Sequence, residues 1–144
     1  MPEKETLERA RRDKAEGKSP STQAGEFVRE EIDHVRDGKH GVRSAKQAIA
    51  IGLSKARRAG VKLPPPKGSA ATRRKAAQDT RAARSIRKPS TARSRATEDA
   101  LRRESRRGAS RSALSKQAKS AAASRGLQSR KKAAQKAART RKAA

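Results

Sequence analysis

The 144-residue chain has no cysteine, tryptophan or tyrosine, and only one phenylalanine and one methionine. Without cysteine it forms no disulfide, and no Cys-ligated zinc or iron–sulfur site. Leu, Ile, Val and Phe together number 15, about a tenth of the residues. No apolar run approaches the ~18 residues that span a bilayer. The opening MPEKETLERARRDK lacks an apolar stretch, so no secretory signal is expected and the cytoplasm is the expected compartment. So little apolar material remains to wall off a dry pocket that neither an enzyme nor a cofactor is expected.

What the chain has is positive charge. Forty Lys and Arg stand against 14 Asp and Glu, a formal net charge of +26. The charge is unevenly placed. Residues 1–63 hold 15 basic and 10 acidic side chains, whereas residues 64–144 hold 25 basic and 4 acidic. Pro64-Pro65-Pro66 marks the border, and three prolines cannot continue a helix. The larger apolar residues divide at the same place. Eleven precede it, and only Ile86, Leu101, Leu114 and Leu127 follow. Four isolated side chains do not offset an ordering cost of ~1–2 kcal/mol per residue. The expected class is therefore all-α: a small helical hairpin module followed by a long disordered or conditionally helical basic tail.

Four segments follow from this. Residues 1–18 alternate Glu with Lys and Arg and predict a solvated helix, with pairs such as Glu5–Arg9 and Glu8–Arg12. Residues 19–63 predict the hairpin, 64–69 a Pro-rich linker, and 70–144 a low-complexity Ala/Arg/Lys/Ser tail. In the hairpin, Ser19-Pro20 opens a first helix with Ala24, Phe27, Val28, Ile32 and Val35 on one side. Glu31 falls in the middle of that side, either reaching water at its rim or pairing with a cation of the partner helix. Asp37-Gly38-Lys39-His40-Gly41 ends the helix. Ser44 and Gln47 have capping-box spacing, and Ala45, Ala48, Ile49, Gly52, Leu53 and Ala56 form a stripe of mostly small residues. Gly60 suits the position after the second helix, with Val61 as its apolar contact. His34 and His40 are six apart, but His40 lies in the turn, so both are expected to be solvated and no metal site is predicted.

The stretch GKSPSTQAGEFVREEIDHVRDGKHGVRSAKQAIAIGLSKARRAGVKL, residues 17–63, resembles a small bacterial family of uncharacterised proteins. The resemblance implies a bacterial source and supplies no activity and no functional residues. The tail is similar in composition to the tails of linker histones and bacterial histone-like proteins, with more Arg than the linker-histone pattern.

A flexible polycation suits a polyanion, because each neutralised phosphate releases counterions. The expected function is non-sequence-specific binding and compaction of duplex DNA by a histone-like, nucleoid-associated protein. The expected contacts in the module are Arg43, Lys46, Lys55, Arg57, Arg58 and Lys62. In the tail they are Arg73, Arg74, Lys75, Arg102, Arg103, Arg106, Arg107, Arg130, Lys131 and Lys132. The tail has no aromatic residue, so base stacking on single strands is unsupported. Two alternatives stand beside this reading: an RNA- or ribosome-associated protein, and a protein-interaction hairpin tethered electrostatically. The thin hairpin core leaves room for a homodimer.

Overall fold

A computed structural model describes residues 1–85 and 87–143. Those residues form seven α-helices, one 3-10 turn and no strand. The chain divides into two compact units, Met1–Ser110 and the residues from Arg111 onward. Ile86, one of the four apolar residues noted after the prolines, lies outside the described residues.

The first unit is built on three helices. Helix α1 spans Lys4–Ala15, α2 spans Pro20–Arg36 and α3 spans Ala45–Arg58. Their ends follow from local sequence. Ser19 accepts a hydrogen bond from the Thr22 N–H, and Pro20 occupies the first turn of α2, where its missing donor is not needed. Ser44 does the same for α3 by accepting from the Gln47 N–H. The Gln47 side chain turns back to accept from the Arg43 N–H at 2.6 Å, one residue short of the reciprocal bond of a capping box. Gly17, Gly38 and Gly60 follow the three helices with positive φ. After each, an N–H reaches back five residues, as in Lys18 to the Asp13 carbonyl, Lys39 to His34 and Val61 to Ala56.

The α2–α3 hairpin forms as the sequence predicts, and its core is thin. Ala24, Phe27, Ala56 and Val61 cluster with Ala10 of α1, while Val35, Val42 and Ala48 cluster with Ala109. The small stripe on α3 has a definite use. At Gly52 an added Cβ would lie 2.6 Å from the Val28 Cα, so the two helix backbones meet there.

Helix α1 is not a solvated rod. Thr6, Ala10 and Asp13 are buried, Leu7 packs on the Phe27 cluster, and Arg9 pairs with Glu26 of α2 at 2.6 Å. Glu5–Arg9 forms at 3.5 Å as the spacing predicts. Every third or fourth residue of α1 is small or short enough to sit against α2, a pattern that counting large apolar residues overlooks.

The disordered tail is the main correction. Ser69 caps helix α4, Ala70–Ala82, which packs on α3 through Ala76 and Asp79. Helix α5 spans Thr91–Arg102 and buries nothing. The chain then enters a 3-10 turn, Arg106–Ala109, whose Gly108 and Ala109 are buried against α2 and α3. Two backbone bonds fasten this segment to the loop after α2. The Gly41 N–H donates to the Leu101 carbonyl and the Val42 N–H to Ser105, both at 2.9 Å. Gly41 has no room for a side chain, because a Cβ would overlap the Glu104 carbonyl. Segments 70–82 and 101–110 thus dock through Ala, Gly and one buried Asp, not through large apolar side chains. In the second unit α6 spans Arg111–Ser124 and α7 spans Gly126–Ala143, and neither has a buried residue. Their composition explains helicity without a core, since Ala, Arg, Lys and Gln are the strongest helix formers.

Candidate nucleic-acid interface and a buried charged cluster

The acidic residues decide which cations face solvent unpaired. All 14 lie in the first unit, so the 11 Lys and Arg from Arg111 onward share their unit with no carboxylate side chain. Arg130, Lys131 and Lys132 sit exposed on α7. Lys46, Lys62, Arg73, Arg74, Arg102, Arg103, Arg106 and Arg107 are also exposed and have no carboxylate within ion-pair distance among the described residues. Arg74 and Arg81 are exposed on α4, and Ala76 of the same helix is buried. Arg73 is tied back to the Gly68 carbonyl at 2.8 Å, and Arg106 reaches the Arg36 carbonyl at 3.5 Å. Arg43 is exposed and lies 3.4 Å from Glu104.

Four of the predicted contacts are engaged inside the fold. Arg57 is buried and donates to the Pro64 carbonyl at 3.3 Å, holding the start of the Pro run against α3. Arg58 and Lys75 converge on Asp79 at 2.8 and 2.7 Å, and the Ser54 hydroxyl donates to its other oxygen at 2.6 Å. Burial pushes the Asp79 carboxyl up, but the bonds from Lys75, Ser54 and Arg58 outweigh it and leave it below the usual aspartate value. One buried acid therefore holds α4 onto α3 through Ser54 and Arg58, while Lys75 pairs with it from one turn earlier on α4 itself. Lys55 is the fourth. Its ammonium lies 2.8 Å from Glu31 and 3.4 Å from Glu30.

Lys55 belongs to a charged cluster at the α2–α3 interface. Glu30 accepts from the Glu3 N–H at 3.0 Å. Burial raises the Glu30 carboxyl, while the Thr6 hydroxyl, the Glu3 amide and Lys55 lower it further, so it stays below the ordinary range. Glu31 is fully buried. The rim position considered from sequence is therefore excluded, and the pairing with a partner-helix cation is what forms. Glu31 Oε2 faces Lys55, and Oε1 lies 3.1 Å from His40 Nε2. Neither approach has hydrogen-bond alignment, so both oxygens lack a hydrogen-bond partner despite these short distances.

The histidines are not solvated, contrary to the sequence expectation. Their side chains are 15 and 16% exposed, and the rings meet edge to face with centroids 6.3 Å apart. The turn at Gly38 folds His40 back over the end of α2, where Glu31 and His34 share a face at i, i+3. Glu3 completes the surroundings. Its carboxylate accepts from His34 Nε2 and from Lys39, each at 2.8 Å. The bond from Lys39, then that from His34, draws its pKa down to about 2. The Glu31-x-x-His34 spacing and the two glycines flanking His40 were the available sequence signals for this convergence. Beside His40 opens a cavity of about 390 Å³, lined also by Lys39, Arg102, Glu104 and Arg106.

No described helix is long and apolar enough to cross a membrane. Residues 11–67 match the model of a family of unknown function, DUF6496. The match runs from the middle of α1 through the Pro run, and it supports reading this region as a module of an uncharacterised family. No curated protein and no solved structure matches the chain.

Proposed function

We propose that this module and the cationic helices after it bind duplex DNA without sequence preference, neutralising phosphates and compacting the polymer as a histone-like protein does. The observation that supports the reading most is the second unit. It carries 11 cations and no acidic side chain, ten of the cations on two helices with no buried residue and Arg125 between them. Helices offering cations on several sides can contact phosphates of more than one segment, which is what bridging requires. The exposed cations of the first unit add to that surface: Arg43, Lys46, Lys62, Arg73, Arg74, Arg102, Arg103, Arg106 and Arg107. Lys55 and Arg57 are assigned to the fold instead, and Arg58 and Lys75 share the charge of Asp79.

Sequence readout has little support. Residues 37–44 separate α2 from α3, a longer connection than the 3–4-residue turn of a helix-turn-helix reader. The chain has no Trp or Tyr, and its one Phe is buried. This disfavours binding by base stacking on single strands. The proposal is of a nucleoid-bound binding protein and assigns no catalytic residue.

Salt tests it. If all 11 cations after Ser110 met phosphates, they would contribute about −10 to the slope of log K against log salt on duplex DNA. Anisotropy titrations from 50 to 300 mM KCl would compare full-length protein with a chain ending at Ser110. The expected outcome is a steep slope that becomes several units shallower on truncation. Equal slopes would refute the role of the second unit. Structured RNA competing far better than duplex DNA at the same salt would replace DNA by RNA as the ligand.

A further inference from the structure

We propose that Glu31, His34 and His40 bind a divalent transition-metal ion of the zinc type, a property separate from polyanion binding. One carboxylate oxygen and one ring nitrogen from each histidine lie within 4.8 Å of one another. Two imidazoles and a carboxylate are a ligand set that suits zinc and leaves a fourth position open.

Proximity alone would be weak support, and the hydrogen bonds around the cluster add an independent one. His40 Nδ1 lies 3.0 Å from the Gly41 carbonyl, which can only accept, so Nδ1 carries the proton. In the neutral ring the lone pair is then on Nε2, which lies 3.1 Å from Glu31 Oε1 without the alignment of a hydrogen bond. Two donor atoms that close and not joined by a hydrogen bond have the separation of neighbouring ligands on one tetrahedral ion. Glu31 itself is 1% exposed at its side chain and neither oxygen has a hydrogen-bond partner. Its two oxygens are divided in use: Oε2 faces Lys55 at 2.8 Å, and Oε1 faces the histidine side.

The surroundings match what metal-ligating histidines have. A backbone carbonyl fixes the His40 tautomer, and the Glu3 carboxylate orients the His34 ring from outside. The charge also has room for a dication. Glu3, Glu30 and Glu31 contribute three negative charges, and Lys39 and Lys55 return two. The cluster is therefore short of positive charge while its histidines are neutral, in a chain that is otherwise strongly cationic.

The chain has only two histidines, so both rings can be followed in the full-length protein without assignment ambiguity. Imidazole ¹⁵N spectra during zinc addition should show both rings shifting together and saturating at about one ion per chain, as a ligand shared by the two rings requires. Affinity measured against a chromophoric chelator should fall at least about tenfold in His40→Gln and in Glu31→Gln, since even outer partners of a site cost that much. Zinc that leaves both rings unmoved, or moves only one, would overturn the site. So would a correctly folded variant of either kind that binds zinc as tightly as the parent. The ring spectra of the parent decide the question even where a variant fails to fold.

Discussion

The docking of residues 101–110 against the loop after α2 can be broken at one atom. Replacing Gly41 by Ala puts a methyl where the Glu104 carbonyl lies, and the obstacle is backbone, which cannot rotate aside. The segment must separate from the loop. Two backbone hydrogen bonds are then lost, Gly41 to Leu101 and Val42 to Ser105, with a net worth of about 0.5–1.5 kcal/mol each. Val42 is fully buried and loses its contact with Ala109, a fraction of the ~1.5–3 kcal/mol for exposing a whole valine. Release of the ordered segment returns some entropy. A loss of about 2–3 kcal/mol in the free energy of local opening remains, close to a hundredfold in the open population. Hydrogen exchange at the Val42 amide reads that population directly. Trypsin cleavage after Arg106 and Arg107, located by mass spectrometry, reads it a second way. Gly41→Ala should accelerate both about a hundredfold and leave amides near Ala48 and Ala56 protected. Parent protein cut after Arg106 as fast as at Lys131 would refute the docked arrangement, and so would a Gly41→Ala chain with unchanged exchange.

Gly52→Ala would gain ~1 kcal/mol of helix propensity at a solvent-exposed site. Here the new methyl meets the Val28 Cα at 2.6 Å and N at 2.9 Å, and overpacking of ~1–3 kcal/mol wins. The urea midpoint should fall, and a rise would show that α2 and α3 are not in backbone contact. Asp79→Asn keeps the shape of the anchor between α3 and α4 and removes its charge. Arg58 and Lys75 are about half exposed, so the loss is discounted to ~1–2 kcal/mol, and an unchanged urea midpoint would show that the Arg58 pair does not hold α4. Acid should act through the same groups. The folded pKa values of Asp79, Glu30 and Glu3 lie below their unfolded ones, so their contribution is complete above about pH 4.5 and is lost as pH falls toward the folded values, near 2 for Glu3. Thermal scans should be flat from pH 7 to 5 in this respect and fall below 4.5, less steeply in Asp79→Asn. A melting point that rises on acidification would contradict the assigned pairs.

The hairpin was legible because its signals are local. Ser19-Pro20, Ser44 with Gln47, and Gly17, Gly38 and Gly60 act on their own turns, and the structure places each at a helix end. The helices of the tail were legible in its composition, but its docking was not, because that packing is not local and uses unexpected residues. Ala76, Gly108 and Ala109 are too small to register as a core, and Asp79 is polar. Each is buried only because another element presents a matching surface: Ser54 and Arg58 for Asp79, Val42 for Gly108. The same holds for the cations. Lys46 and Lys55 are indistinguishable in sequence, yet one is exposed and the other lies against two buried glutamates.

Composition by itself determined that the chain is helical, strongly cationic and poor in large apolar side chains, and helix caps determined where its first helices start and stop. Those properties are sums or nearest-neighbour effects, which a linear sequence contains in full. Only the tertiary structure decided which charges are spent within the protein and which remain for a partner. It also brought Glu31, His34 and His40 together with Glu3, 28 residues before Glu31. Coulomb energy and desolvation depend on distances through space, and those distances exist only once α1, α2 and α3 have packed.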